Sequence, residues 1–210
     1  ALEALSTFAP PGVVHGHGPV VTLDHRETNA YLAMNFFLGR NEPVRWTADG
    51  TIVIESPYVE NEGRAANLAT QFGVAVHLKP QPPPRPLYEI RTMPKVAVYE
   101  SWVPNMDAGW TRFVLDRYQI PHAVVHNSDV RQGRLHDRFD TLILPSQTSS
   151  GILHGTREGE TIQDRNLGMI TSTQRPEFAG GIGLKGLNEI EQFVREGGTL
   201  LALDQAADMV

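Results

Sequence analysis

The sequence predicts an α/β fold with mainly parallel sheets, arranged in two segments. Short apolar runs of strand length alternate along the chain with stretches of helical periodicity, which is typical of βαβ units. A proline-rich segment, QPPPRP, interrupts this alternation at residues 81–86. Proline removes backbone donors and favours extended structure. We therefore predict an N-terminal α/β segment over residues 1–80, a linker over 81–94 and a second α/β domain over 95–210.

The first segment contains patterns for four strands and two helices. Apolar residues dominate residues 29–38, which predicts a mostly buried helix. Residues 63–72 read as a second helix, and Gly73 supplies its end. The predicted strands are Val20–Leu23, Val44–Trp46, Thr51–Glu55 and Val74–Leu78, with a turn at residues 48–50.

The second domain repeats the same alternation more clearly. Residues 184–195 place apolar side chains on one helical stripe, and two glycines at 197 and 198 end this helix. Residues 146–178 are polar and contain glycine, so we predict a long loop that is functional or mobile. The remaining predicted elements are strands at 96–99, 122–125, 141–144 and 199–203, and helices at 109–118 and 129–135.

Composition limits the classes of function. The chain has 210 residues and a formal charge of -6, whereas nucleic-acid binders normally carry a basic face. It contains no cysteine, which excludes thiol nucleophiles and thiolate metal sites in this chain. No apolar run has the length of a membrane span. The chain begins at Ala1 without methionine, and we interpret it as a piece of a longer protein in which the far edge of the second sheet is missing.

Three stretches resemble a known family. They are VAVYESWVPNMDAGWTRFVLDRY, FDTLILPSQ and EFAGGIGLKGLNEIEQFVREGGTLLALDQAADM. In this order they are similar to a region that follows the catalytic domain of bacterial zinc carboxypeptidase-like proteins of the carboxypeptidase A superfamily. That region looks like a class I glutamine-amidotransferase-like domain with a flavodoxin-like fold. The resemblance covers residues 95–210, and the first 90 residues fit it more loosely. It implies two flavodoxin-like segments with mainly parallel sheets.

Two departures from the family pattern bear on activity. The carboxypeptidase pattern of a His and a Glu three residues apart, with a distant second His, does not occur, and neither does the amidotransferase nucleophilic Cys. The resemblance therefore implies a non-catalytic accessory domain for packing, stabilisation or ligand or peptide binding. Its partner would be the peptidase domain of the parent, which would also hold the zinc. We expect no cofactor in this chain, and the resemblance is compatible with an exported parent.

One candidate ligand site lies at the start of the helix after residues 96–99. Asp107 has two interpretations: an acidic helix cap, or one side of a cleft that it forms with Asn105. In the second interpretation Trp102 and Trp110 are the apolar walls, and the ligand is a small polar molecule or peptide.

Further candidates follow later elements. Ser146 and Asp204 come directly after predicted strands, where α/β sites form. The glycine-rich segment 180–183, which includes Gly181, precedes a helix, and its amides offer an anion cradle. The alternative function is a stand-alone amidase or hydrolase that uses Ser146 or the pair of Asp107 and Asp204. Its serine lacks the G-x-S-x-G context of known hydrolases, so we assign no catalytic residue.

Two histidines and two aromatic residues in the first segment bear on other classes of function. His15 and His17 offer two imidazoles on a glycine-rich segment, but two ligands do not make a metal site without a third, and we predict none. An oligomerisation module is the third functional hypothesis, with Trp46 and Tyr58 as anchors if they are exposed.

Overall fold

The computed structural model describes residues 12–55, 62–84, 87–164, 169–173 and 175–209. These residues form two compact units, one reaching to Met93 and including residues 117–119, the other formed by residues 94–116 and those from 120 onwards. Both units combine helices with a sheet. The predicted α/β class is confirmed.

The first unit contains a six-stranded mixed sheet in the order β1-β5-β2-β4-β3-β6. Of its described pairings, β1 with β5 is parallel and the other four are antiparallel. The prediction of a mainly parallel sheet was therefore wrong for this segment. Its elements are β1 (Val14–Gly16), β2 (Val20–Leu23), α1 (Thr28–Leu38), β3 (Val44–Thr47), β4 (Ile52–Ile54), α2 (Glu62–Phe72), β5 (Val76–Lys79) and β6 (Leu87–Ile90).

The turn between β3 and β4 explains the antiparallel pairing. Thr47 and Thr51 are joined by a backbone hydrogen bond of 3.0 Å, and Gly50 between them has φ of 86°. Glycine adopts this left-handed conformation without steric cost. A connection this short joins antiparallel neighbours, because parallel strands need a crossover of a dozen or more residues. The positions of both strands and of the turn between them were predicted correctly.

Strand β6 lies inside the predicted linker. Residues 87–90 pair antiparallel with β3 at the edge of the first sheet, and the division between the two units falls between Met93 and Pro94. Residues 87–90 contain no proline, so their backbone amides can donate to a neighbouring strand. The extended conformation was expected, but its pairing with a strand 40 residues earlier was not visible locally.

Trp46 packs against the core of the first unit and is not an exposed surface anchor. Its side chain is partly buried against the apolar core, and its indole nitrogen lies 3.4 Å from the sulfur of Met34. The other proposed anchor, Tyr58, lies outside the described residues.

The second unit is built on a four-stranded parallel sheet in the order β12-β9-β7-β8. Numbered by their order in the chain, its strands lie 2-1-3-4, which is compatible with a flavodoxin-like fold. Its elements are β7 (Val96–Tyr99), α3 (Met106–Arg117), β8 (His122–Val125), α4 (Asn127–Gln132), α5 (Leu135–Arg138), β9 (Thr141–Leu144), α6 (Ser149–Leu153), β10 (Thr161–Asp164), β11 (Met169–Thr173), α7 (Gly183–Arg195) and β12 (Thr199–Ala202).

The predicted loop at 146–178 contains regular structure. Helix α6 begins directly after Thr148, whose hydroxyl accepts a hydrogen bond from the Gly151 amide at 3.1 Å. Strands β10 and β11 form an antiparallel pair, and a 3-10 helix follows at Pro176–Phe178. Ser149, Ser150 and Gly151 are thus the first turn of a capped helix. The polar composition of these residues is typical of a loop, which explains why the sequence predicted a loop where the structure has helix α6.

Apolar side chains bury both faces of the second sheet at its centre. On one face Val98 and Ile143 pack with Leu115 of α3. On the other face Tyr99 and Leu144 pack with residues that include Phe193 of α7. Burial of each such side chain contributes roughly 1.5 to 3 kcal/mol, so the central strands hold their carboxyl ends in fixed positions. None of the described helices combines the length and the apolar character needed to cross a membrane.

Candidate functional site

The carboxyl edge of the second sheet contains a topological switch point. Strand β8 lies on one side of β7, whereas β9 and β12 lie on the other side. Connections leaving β7 and β9 therefore run to opposite faces of the sheet and leave a crevice between them. The residues that line this edge come from the loops after β7 and β9 and from the residues after β12.

Ser146 and Asp204 meet at this edge. Ser146 Oγ donates a hydrogen bond to Asp204 Oδ2 at 2.8 Å. The Leu203 amide donates to the Leu144 carbonyl at 3.0 Å, which extends the pairing one residue beyond β12. Asp204 then turns into the left-handed region with φ of 47°, a conformation that Asp tolerates better than most residues. The two predicted site residues are therefore neighbours in space.

Asn105 connects this pair to the start of helix α3. Its Nδ2 donates to the Ser146 carbonyl at 3.1 Å, and its Oδ1 accepts from the Asp107 amide at 2.9 Å. Because α3 begins at Met106, Asn105 occupies the N-cap position and satisfies a free donor of the first turn. The interpretation of Asp107 as the cap was wrong by two residues. Asp107 lies exposed in the first turn, where its charge complements the positive end of the helix.

Two further residues at this edge were missed by the sequence analysis. Gln147 Nε2 donates to Ser101 Oγ at 2.9 Å, and the buried Ser101 hydroxyl lies 3.2 Å from the Val103 carbonyl. Ser101 and Gln147 are two and three residues beyond the ends of β7 and β9. Their positions after adjacent strands were the available signal. Together they join the two loops on either side of the switch point.

The two predicted tryptophan walls lie in different surroundings. Trp102 stacks on the His126 ring at 3.9 Å between centroids and contacts Phe178 at 4.3 Å. Trp110 is 62% exposed on α3, and its ring packs edge-on against Phe113. Trp110 forms none of the hydrogen bonds that connect the described residues at the switch point. Of the two tryptophans, only Trp102 lies in the loop after β7, whereas Trp110 lies on α3.

Gly181 belongs to a separate cluster. The amides of Gly180 and Ile182 donate to backbone carbonyls at 2.7 and 2.9 Å, and the Gly181 carbonyl accepts from Arg131. A Cβ at Gly181 would lie 2.3 Å from the Ile152 carbonyl oxygen. Two amides of the predicted anion cradle are thus already bonded, and glycine is needed at 181 for close packing of the backbone.

Buried Tyr99 and Asn127 complete this second cluster. Tyr99 OH donates to Asn127 Oδ1 at 2.6 Å, and Asn127 Nδ2 donates to the Gly180 carbonyl at 2.8 Å. Burial raises the pKa of the Tyr99 hydroxyl well above its usual range, although the charge of Arg131 acts in the opposite direction. The phenol therefore keeps its proton at neutral pH and acts as a structural donor.

The site lacks the arrangement of an activated serine. A serine nucleophile needs a general base within hydrogen-bonding reach, normally a histidine held by an acid. In the part of the chain that the structure describes, Ser146 Oγ bonds to a carboxylate and to no histidine. His126 Nδ1 lies instead 2.7 Å from the Glu100 carbonyl. Within the same described ranges, no group of three His, Cys, Asp or Glu side chains is placed to hold a metal ion.

Comparisons with known proteins do not assign a family. No family model, curated protein or solved structure matches the chain. The relation to flavodoxin-like domains therefore rests on the order and direction of β7, β8, β9 and β12. Such a fold hosts many unrelated functions, so function has to be argued from the residues at the switch point.

Proposed function

We propose that the second unit is a non-catalytic accessory domain of a zinc carboxypeptidase-like protein and that it binds a small polar ligand or peptide. The observation that carries the ligand site is the hydrogen bond of 2.8 Å between Ser146 and Asp204 at the switch point of a parallel sheet. Asn105 holds the same segment through the Ser146 carbonyl. Ligands of doubly wound folds bind at this position.

The chemistry of this edge favours a ligand with N-H donors. Asp204 is exposed, and Ser146 occupies its Oδ2. Among the described residues no donor bonds to Oδ1 of Asp204, which leaves one carboxylate oxygen available as an acceptor. Hydrogen bonds to an ionised acceptor are about twice as strong as neutral ones. An amide or amine group of a peptide is therefore the expected partner of Asp204.

The ligand site can be tested by titrating trialanine into the 15N-labelled chain and recording 1H-15N spectra. We expect saturable shifts of the amides of Asn105, Ser146 and Asp204. Asp204→Asn removes the charge and should weaken binding about five-fold or more, which corresponds to roughly 1 kcal/mol. Asp208→Asn makes the same change on an exposed residue of the same 3-10 helix and should leave affinity unchanged. Equal weakening by both variants would refute a site at Asp204.

The accessory role is tested on the natural gene product that contains this chain. We expect that product to carry zinc and to cleave a C-terminal residue from a peptide, and the 210-residue chain alone to do neither. Metal analysis of both proteins by plasma mass spectrometry, together with a peptidase assay, gives the comparison. If the natural gene product contains no zinc, the proposal of a carboxypeptidase-like parent is wrong. The titration with trialanine would then still test the ligand site on its own.

The alternative function is an amidase or hydrolase that uses Ser146. The contact of its hydroxyl with a carboxylate favours this candidate, since a carboxylate within hydrogen-bonding reach can act as the general base for a serine. Release of nitrophenol from p-nitrophenyl acetate, or of ammonia from glutamine, provides the assay. The hydrolase gains support if the chain turns over either substrate and Ser146→Ala abolishes turnover. If the chain is a non-catalytic accessory domain, the wild-type chain and Ser146→Ala should show no difference in turnover of either substrate.

A further inference from the structure

A cleft of about 470 Å³ opens within the first unit, separate from the switch point. Its lining comes from β2 and β5, from the loop after β2 and from the turn between β3 and β4. The charged and imidazole side chains in this lining are Asp24, His25, Arg26, Asp49, His77 and Lys79. A volume of several hundred Å³ suits a small organic molecule.

Both carboxylates of the cleft already have partners. Arg26 Nε and Nη2 donate to the two oxygens of Asp24 at 3.0 and 2.6 Å. Oδ1 of Asp49 accepts from the Thr47 hydroxyl and from the Thr51 amide. The side-chain hydrogen bond from Arg26 lowers the pKa of Asp24 far below its usual range, and the Thr47 hydroxyl lowers the pKa of Asp49. The acidic groups are thus held by the protein itself.

The nitrogen groups of His77 and Lys79 are not held in this way. Among the described residues, the Lys79 ammonium forms no ion pair or hydrogen bond, and the His77 ring has one described contact, with His15. The two imidazoles lie at paired positions of β1 and β5, and their rings stack with centroids 4.9 Å apart. This leaves donors without acceptors on one side of the cleft.

The sheet fixes the spacing of these donors. His77 and Lys79 are two residues apart on β5, so both side chains project from the same face. Their partners across β2 are Thr22 and Val20. The Thr22 hydroxyl donates to the His77 carbonyl at 3.1 Å, and Thr22 is 4% exposed. The donors therefore stand on a rigid strand with an ordered neighbour.

We propose that this cleft binds a small molecule through an oxyanion of the phosphate or carboxylate class. Lys79 supplies the positive charge, His77 supplies an N-H donor, and the remaining volume accepts the rest of the ligand. A phosphate or carboxylate oxygen is the natural acceptor for such donors. Asp24 is paired with the Arg26 guanidinium, so it does not oppose an anion at Lys79 as a free carboxylate would. Asp49 keeps its negative charge, and its Oδ1 accepts hydrogen bonds from Thr47 and Thr51 of its own turn. The site is independent of the function proposed for the second unit.

Calorimetric titration of the full 210-residue chain with pyrophosphate and with citrate tests this site. We expect saturable binding of at least one anion, and we expect Lys79→Gln to weaken it about ten-fold or more. His77→Gln should weaken it by a smaller factor because Gln retains an N-H donor. The matched control is Lys95→Gln, which removes the same charge from an exposed lysine of the second unit and should leave the affinity unchanged.

Each outcome of the titration bears on the proposal. Preference for pyrophosphate assigns the phosphate class, and preference for citrate assigns the carboxylate class. Absence of binding of either anion at concentrations up to about 10 mM would overturn the proposal. Equal weakening by Lys79→Gln and Lys95→Gln would overturn it as well, since the binding would then report the general charge of the chain. Thermal unfolding of each variant checks that the loss of binding does not reflect a loss of the fold.

Discussion

The hydroxyl of Ser146 and the carboxylate of Asp204 lie 2.8 Å apart although 58 residues separate them in the chain. Each follows a strand of the same parallel sheet, and the two strands β9 and β12 are direct neighbours in register. This arrangement brings two polar side chains to the end of the sheet without a local sequence motif.

Two substitutions at Asp204 distinguish the contribution of its side chain to stability from that of its left-handed backbone. With φ of 47°, alanine at this position loses the bond to Ser146 and also carries a conformational cost of roughly 1 to 2 kcal/mol. Glycine loses the same bond but not that conformational energy. We expect Asp204→Gly to unfold at a higher urea concentration than Asp204→Ala. The reverse order would show that the backbone at 204 is not left-handed in solution.

The N-cap of α3 can be tested at Asn105. Asn105→Ala removes the acceptor for the Asp107 amide and should reduce the free energy of unfolding by about 0.5 to 2 kcal/mol. Both Asn105→Ala and Asn105→Asp lose the donor to the Ser146 carbonyl, but Asn105→Asp retains the acceptor of the cap and should cost less. Asp107→Ala removes only a charge near the helix start, worth about 0.3 to 1 kcal/mol. Chemical denaturation of the three variants gives the ranking, and a larger loss for Asp107→Ala than for Asn105→Ala would contradict it.

The buried pair of Tyr99 and Asn127 predicts a dependence on alkaline pH. Tyr99→Phe leaves Asn127 Oδ1 buried without its donor, at a cost of about 1 to 3 kcal/mol. The folded-state pKa of Tyr99 is raised above its unfolded value. Its contribution to stability is therefore complete below the unfolded value of about 10 and declines as the pH rises above it.

Denaturation curves of the wild type and of Tyr99→Phe between neutral pH and about pH 11 measure this effect. We expect the difference in free energy of unfolding between them to shrink above about pH 10. A difference that stays constant over this range would show that the phenol ionises equally well in the folded and unfolded chain.

Alanine substitution at two glycines of the second unit should change its stability in opposite directions. At Gly181 a Cβ would lie 2.3 Å from a backbone oxygen, so Gly181→Ala should destabilise the unit by roughly 1 to 3 kcal/mol. At Gly109, inside α3, a Cβ would meet open space. Gly109→Ala should stabilise the helix by about 0.5 to 1 kcal/mol. Melting temperatures of the two variants provide the comparison, and destabilisation by both would argue against this packing of the loop at 181.

Local periodicity was sufficient to locate most elements of the fold. The apolar runs at 96–99, 122–125 and 141–144 correspond exactly in position to β7, β8 and β9, and the helical stripe at 184–195 corresponds to α7. These patterns repeat within a few residues, because burial of one helix face or one strand imposes its period on neighbouring positions. Residues after such strands could therefore be named as site candidates.

Tertiary structure decided which of those candidates meet. The antiparallel pairing of β3 with β6, the bond of Asn105 to the Ser146 carbonyl and the contact of Ser146 with Asp204 all depend on partners that are distant in the chain. The order of strands in each sheet sets these partners, and strand order is not encoded in any single segment. Periodicity thus specifies which residues face the core, whereas the hydrogen bonds of the site follow from how distant strands pair.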